Sequence, residues 1–164
     1  MHARFSLSLL LGSALVLAAC SQENATETAA PAAAPAAMPA VTATIGRKPA
    51  PPGAVVYVIA PMNLQTLPSP VRVVFGLQGA GVAPAGVDLP NTGHHHLLVD
   101  TTLTEFDQPI PADAQHIHFG LGQTETTLEL PPGRHTLQLV LGDQLHVPHD
   151  PPLISDVVTI VVTP

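Results

Sequence analysis

The folded part of this 164-residue chain is predicted to be all-β: an immunoglobulin-like β-sandwich of about seven strands over residues 54–164. Three observations predict this class. Short runs rich in Val, Leu and Ile alternate apolar and polar residues, as strands do. Turns rich in Gly and Pro separate these runs. No window of helical length carries an apolar stripe with a 3.6-residue period. A small closed barrel is the alternative architecture.

The first three expected strands are uncharged or alternating runs bounded by turn residues. Residues 55–59 (Val-Val-Tyr-Val-Ile) are mostly β-branched and stop before Pro61. Residues 71–77 alternate, with Val, Val and Phe on one face. Residues 94–100 follow the Pro-Asn-Thr-Gly turn signal at 90–93.

The last three expected strands complete the domain. Residues 123–130 place two glutamates on one face and two leucines on the other. The Pro-Pro-Gly turn at 131–133 leads into residues 134–141, where three leucines share a face. Residues 154–162 form a closing β-branched run.

Residues 1–19 resemble a bacterial lipoprotein signal peptide. A short basic start is followed by an uncharged apolar run, which ends in Leu-Ala-Ala before Cys20. The resemblance implies cleavage before Cys20, lipidation of that residue and stable anchoring by its acyl chains. An ordinary secretory signal is the alternative. Ser21, not aspartate, follows the cysteine, which favours the outer membrane. We therefore expect a location in the cell envelope of a Gram-negative bacterium, facing the periplasm.

The residues between the signal and the domain predict a tether. Residues 20–53 are rich in Ala, Pro and Thr, and they alternate alanine runs with prolines. Such a segment has too little large apolar surface to offset its ordering entropy. We expect a disordered linker.

Charge and cysteine content exclude several functions. Asp and Glu number 12 against 5 Lys and Arg, for a formal charge of −7. This balance argues against a nucleic-acid partner but not against cations. Cys20 is the only cysteine, so the domain has no thiolate for catalysis or for metal binding.

Histidines dominate the candidate chemistry, because eight of the nine lie within residues 94–149. Imidazole is the commonest metal-binding side chain. His116 and His118 are two residues apart in an expected strand, so both face one side and form a two-point chelate. His94 and His96 likewise share a face. We expect one of these to complete the site, closed by the proline-fixed loop carrying further histidines. The candidate ligands are His94, His96, His116, His118, His146 and His149.

Four further residues are candidates for orienting ligand rings. Glu125 and Asp143 are carboxylates that could accept a ring N–H. Asp150 lies beside the histidines of the proline-fixed loop. His135 has the parity of the inward-facing leucines of its strand, so it is interpreted either as a core residue bonded to a turn carbonyl or as part of this second layer.

Four motifs resemble one known family. They are Gly-His-His-His-Leu-Leu-Val-Asp at 93–100, His-Ile-His-Phe-Gly at 116–120, Pro-Gly-Arg-His-Thr-Leu-Gln-Leu at 132–139 and His-Val-Pro-His-Asp-Pro-Pro at 146–152. They are similar to the domain of unknown function numbered 4399, found in exported bacterial proteins, over most of residues 70–162. The resemblance implies export but no activity.

Three functions are compatible with these residues. The first is binding of a divalent transition metal, zinc or copper, because neutral imidazoles with carboxylates and no thiolate suit these ions. The second is a structural or pH-responsive envelope domain with a histidine hydrogen-bond network. The third is a metal-dependent hydrolase or oxidase, with Asp100, Glu125 or Asp150 as base. The familiar hydrolase and phosphate-loop motifs are absent from the sequence, which favours a non-enzyme.

Overall fold

The computed structural model describes residues 46–164. The predicted signal peptide, the lipidation site Cys20 and most of the predicted linker lie outside the described residues. Within the described part, no helix is long and apolar enough to cross a membrane.

Residues 46–164 form nine strands and no helix. The strands are β1 (Val55–Ala60), β2 (Gln65–Pro68), β3 (Val71–Gln78), β4 (Gly81–Val82), β5 (Thr92–Val99), β6 (His116–His118), β7 (Glu125–Leu128), β8 (Gly133–Gly142) and β9 (Val158–Thr163).

The strands form two sheets with the connectivity of an immunoglobulin-like sandwich. One sheet has the order β1-β3-β7, and the other has the order β2-β9-β8-β5-β4 with β6 also paired to β5. The chain therefore crosses between sheets from β1 to β2, from β2 to β3, from β3 to β4, from β6 to β7 and from β7 to β8. This is the A-B-E and G-F-C arrangement of that fold. The predicted fold class is confirmed.

The strand boundaries differ from prediction mainly at short elements. The expected strand 123–130 is ordered as a strand only over Glu125–Leu128. The last strand begins at Val158, because residue 154 makes only an isolated bridge to Val140. β2 and β4, with four and two residues, are too short to show a periodic pattern in the sequence.

The main core lies between the two sheets. β5 contributes Leu97 and Val99, and β8 contributes leucines at 137, 139 and 141. They pack against Phe75 and its neighbours in the other sheet. Alternation along β5 therefore fixes which residues face inward and which face the outside of the six-stranded sheet.

A second, smaller apolar cluster lies on that outside face. Leu98 of β5 and Val140 of β8 pack there with Ile110, which belongs to the long segment between β5 and β6. His94 and His96 have the same parity along β5 as Leu98, so they lie on this outer face as well.

The folded part begins earlier than predicted. Arg47 donates to the carbonyl of Pro148 (3.1 Å) and to that of His149, and it is paired with Asp150 (3.3 Å). The N–H of Ala50 donates to the carbonyl of Asp150 (2.8 Å). Residues 47–50 were assigned to the linker from their composition. These backbone and guanidinium hydrogen bonds instead attach them to the loop before β9.

Candidate metal centre

Two paired strands bring three histidines together on the outer face. His96 of β5 is the register partner of His118 of β6, and His94 lies two residues earlier on the same face. One ring nitrogen from each lies within 4.8 Å of the others. The Nε2 atoms of His94 and His96 are 3.1 Å apart. The sheet therefore supplies a three-imidazole cluster, called the strand triad below.

A fourth imidazole stands beside the strand triad. The ring centroid of His146 lies 4.9 Å from that of His94, 5.8 Å from that of His96 and 4.7 Å from that of His118. His146 lies in the loop that follows β8 and has a φ of 69°, in the left-handed region. Strained backbone of this kind is held by its surroundings and is common at ligand sites.

The loop that carries His146 is fixed by hydrogen bonds. The buried carboxylate of Asp143 accepts from the N–H groups of Leu145 (2.8 Å) and Val147 (3.0 Å). The N–H of Ile110 donates to the carbonyl of His146 (2.9 Å). These bonds set the position of the fourth ring independently of any ligand.

Two glycines leave space for the rings. A Cβ atom on Gly120 would lie 2.3 Å from Cε1 and 2.6 Å from Nε2 of His118. A Cβ atom on Gly142 would lie 3.1 Å from Nε2 of His96. Larger residues at either position would displace the imidazoles, so both glycines shape the site.

The spacing of the rings fits one metal ion. Two nitrogens bound to a tetrahedral ion at about 2.0–2.1 Å lie about 3.3 Å apart, and the centroids of their rings lie about 5 Å apart. Within the strand triad, the centroid distances are 4.9, 5.0 and 5.0 Å. The ring spacing of the triad therefore matches that of imidazoles around one ion, and the His94–His96 nitrogen distance of 3.1 Å is close to the required value.

The environment keeps the rings neutral. Burial, followed by the charges of His146, His118 and His95, lowers the pKa of His94 to about 4. Burial and the neighbouring imidazoles lower the pKa of His96 to about 2. Burial and His146 also lower the pKa of His118. Neutral imidazole has a free lone pair, which is the form that binds a metal.

Several ring nitrogens have no hydrogen-bond partner among the described residues. In the strand triad these are Nδ1 of His94, Nδ1 of His96 and Nε2 of His118, all buried. A histidine hydrogen-bond network would satisfy such atoms, because unpaired buried polar groups are costly. The Nε2 atoms of His94 and His96 lie at hydrogen-bond distance from each other, so the cluster is linked at one pair while these three nitrogens stay unpaired.

Two of the expected ligands are elsewhere. Nδ1 of His116 is bonded to the carboxylate of Asp113 (2.9 Å), and the ring lines a cleft with the segment 102–111. Nδ1 of His149, a buried residue, lies 3.4 Å from the carbonyl of Leu141. The structure does not bring either ring into the four-imidazole group.

The four residues expected to orient ligand rings make other contacts. Glu125 is paired with Arg72 in the three-stranded sheet, and Asp150 is paired with Arg47. Asp143 caps the loop backbone as described above. None of the four is hydrogen-bonded to a ring of the strand triad within residues 46–164.

His135 is a buried core residue bonded at both nitrogens. Its Nδ1 lies 2.7 Å from the carboxylate of Asp100, and its Nε2 lies 2.9 Å from the carbonyl of Pro131. This matches the interpretation of a core histidine bonded to a turn carbonyl. Asp100, considered earlier as a base, is engaged in this pair.

His95 faces away from the strand triad. Its ring lies on the inner face, with its centroid 5.2 Å from that of Phe75, and it is fully buried. The alternation of the strand predicted that His95 faces away from His94 and His96. It did not predict that the His95 ring packs against Phe75. The role of Asp143 in fixing the loop, and those of the two glycines, were not predicted. The position of Gly120, two residues after His118, was the one feature of the sequence that indicated any of these roles.

The fold and the site together define a class: an immunoglobulin-like sandwich domain with a histidine cluster on the outside of one sheet. The chain belongs to the family described as Domain of unknown function (DUF4399), whose model matches residues 73–163. The matched region contains all four clustered histidines. The predicted family is thereby confirmed.

Other comparisons add no function. Fibronectin(III)-like modules of Clostridium thermocellum CbhA are similar to this chain at 14% identity with a TM-score of 0.36. That match covers 66% of this chain and 96% of the module. None of the curated proteins matches this chain.

Proposed function

We propose that this chain is an exported lipoprotein whose sandwich domain binds one divalent transition metal, zinc or copper(II). The proposed ligands are His94, His96 and His118. The observation that carries the proposal is their convergence: three neutral imidazoles on two paired strands, each with a ring nitrogen within 4.8 Å of the others.

The donor set favours borderline ions. Imidazole nitrogen suits zinc, copper(II) and nickel(II), whereas magnesium and calcium prefer oxygen. The one methionine of residues 46–164, Met62, is exposed between β1 and β2 and does not belong to the cluster. A thioether site for copper(I) is therefore not supported.

Burial of unpaired nitrogens supports coordination over a structural network. Each buried polar atom without a partner costs about 1–3 kcal/mol. The strand triad has three such atoms in the described residues. A metal ion bound by Nε2 of His94 and His96, which lie 3.1 Å apart, would also use the unpaired Nε2 of His118 and offset its share of this cost; the two Nδ1 atoms would stay unpaired.

The proposed location depends on the sequence. The Leu-Ala-Ala-Cys ending at Cys20 supports lipidation and anchoring. The excess of acids over bases suits a domain that meets cations in the periplasm. We propose the outer membrane, because Ser21 follows the cysteine.

The test is metal content of matched histidine variants. Purified full-length protein is dialysed against Zn²⁺ or Cu²⁺, and bound metal is counted by mass spectrometry. We expect one ion per chain, lost in His118→Ala. His116→Ala is the control, because it removes the same side chain from the same strand, outside the cluster.

Two results would contradict the proposal. One is a wild-type chain that retains no metal. The other is His118→Ala protein that is folded by circular dichroism and still binds one ion with wild-type affinity.

A further inference from the structure

We propose that a metal held by the strand triad keeps one coordination position for a small exogenous ligand, water or a small anion, on the side facing His146. This inference rests on the proposed function and specifies what the bound ion would do. In it, His146 does not bind the metal but stands beside the exogenous ligand.

Three of the four rings, those of His94, His96 and His118, have nitrogens close to one another, and the ring of His146 contributes none to that group. Each member of the strand triad offers a nitrogen to a common centre. The ring centroid of His146 lies 4.9 Å from that of His94 and 4.7 Å from that of His118, but 5.8 Å from that of His96, and its nitrogens are not among the three that lie within 4.8 Å of one another. Three protein ligands and one open position are the pattern by which a protein-bound zinc holds water.

Exposure shows from which side a ligand would enter. His94 and His96 are fully buried, whereas His118 and His146 are half-buried. The partly exposed residues, His118 and His146, therefore mark the side of the cluster nearest to solvent, with Nε2 of His118 itself buried.

The backbone of His146 is held independently of the metal. Its carbonyl accepts from the N–H of Ile110, and its N–H donates to the carbonyl of Asp143 (2.9 Å). The left-handed φ of 69° holds the residue at the edge of the cluster. An imidazole in this place can form a hydrogen bond with a metal-bound water or anion through a ring nitrogen.

The expected chemistry is ligand exchange alone. A bound water leaves as a small anion enters, with no change in the oxidation state of the ion and no bond to carbon. Because the triad is mostly buried, the inference concerns only water and anions of a few atoms.

The test uses cobalt(II) as the bound metal and azide as the exogenous ligand. Full-length protein is loaded with Co²⁺, the metal is counted, and azide is titrated while visible absorption is followed. We expect a saturable 1:1 spectral change in the wild type. His146→Ala is expected to retain one Co²⁺ but to bind azide about tenfold more weakly, because one hydrogen bond is lost. His116→Ala is the matched control and is expected to behave as the wild type.

The alternatives give distinct results. A wild-type spectrum that azide does not change overturns the inference, and a response seen only in His146→Ala identifies His146 as the fourth ligand. If His146→Ala loses Co²⁺ as completely as His118→Ala does, His146 is a metal ligand and the inference is likewise overturned. A wild type that retains no Co²⁺ overturns the proposed function itself, and the metal count shows this before azide is added.

Discussion

Metal affinity is expected to depend unusually weakly on acidity. Lowering the pH from 7.5 to 5.5 protonates an ordinary imidazole with a pKa of about 6.5, and it weakens metal binding about tenfold per ligand. Three ordinary ligands would lose about 1000-fold, or about 4 kcal/mol. In this protein, burial sets the pKa of His94 at about 4 and that of His96 at about 2, so both stay neutral across the range. The pKa of His118 is also lowered, so the total loss is expected to be below about tenfold.

The assay measures the dissociation constant of Zn²⁺ by calorimetry at both pH values. A flexible tri-histidine peptide serves as the control, and its affinity is expected to fall by about 1000-fold. Circular dichroism confirms that the protein is folded at pH 5.5. A loss of about 1000-fold in the folded protein would refute the reasoning, because it would mean that the strand triad titrates like exposed imidazoles.

Three further predictions concern the surroundings of the site. Gly120→Ala is expected to lower zinc affinity at least tenfold while the fold persists, because the added methyl group must displace the His118 ring; calorimetry with circular dichroism checks this, and unchanged affinity would contradict it. The low pKa of His95, about 4 through burial, means that the unfolded chain binds a proton that the folded ring does not. Metal-free stability therefore falls between pH 7.5 and 5.5, and in His95→Leu urea melts are expected to show a fall smaller by about 1.3 kcal/mol. Burial alone would lower the pKa of His135, but the Asp100 carboxylate and a turn carbonyl raise it overall. Its stabilising effect is thus complete below about pH 6.5 and lost as the pH rises through the folded pKa, so the stability advantage of wild type over Asp100→Asn is expected to shrink between pH 6.5 and 8. An advantage that grows over this range would contradict the assignment.

The fold class could be predicted because the strand signal is local. Alternation along β3, β5 and β8 identifies inward residues without knowledge of the partner strands. The same parity placed His94 and His96 on one face and His95 on the other. Boundaries of short strands could not be predicted, because β2 and β4 are set by pairing with β9 and β5.

The membership of the histidine cluster was predictable only in part. His118 and His116 have the same spacing signal, and only the register of β6 on β5 places His118 opposite His96. His116 is instead bonded to Asp113, a contact that depends on the path of the preceding loop. His146 and His149 were equivalent in sequence as well. The left-handed backbone at His146, which the capped loop imposes, separates them.

The position of the cluster on β5 has a consequence for how the chain assembles. His94 and His96 point outward while Leu97 and Val99 point into the sandwich, so one strand carries both clustered histidines and part of the apolar interior. If β5 paired with β8 one residue out of register, His94 and His96 would face the interior and Leu97 and Val99 would face the outside of the sheet. An ion that binds only when the three histidine nitrogens converge would stabilise the correct register of β5 on β8. It would therefore favour the native strand pairing during folding.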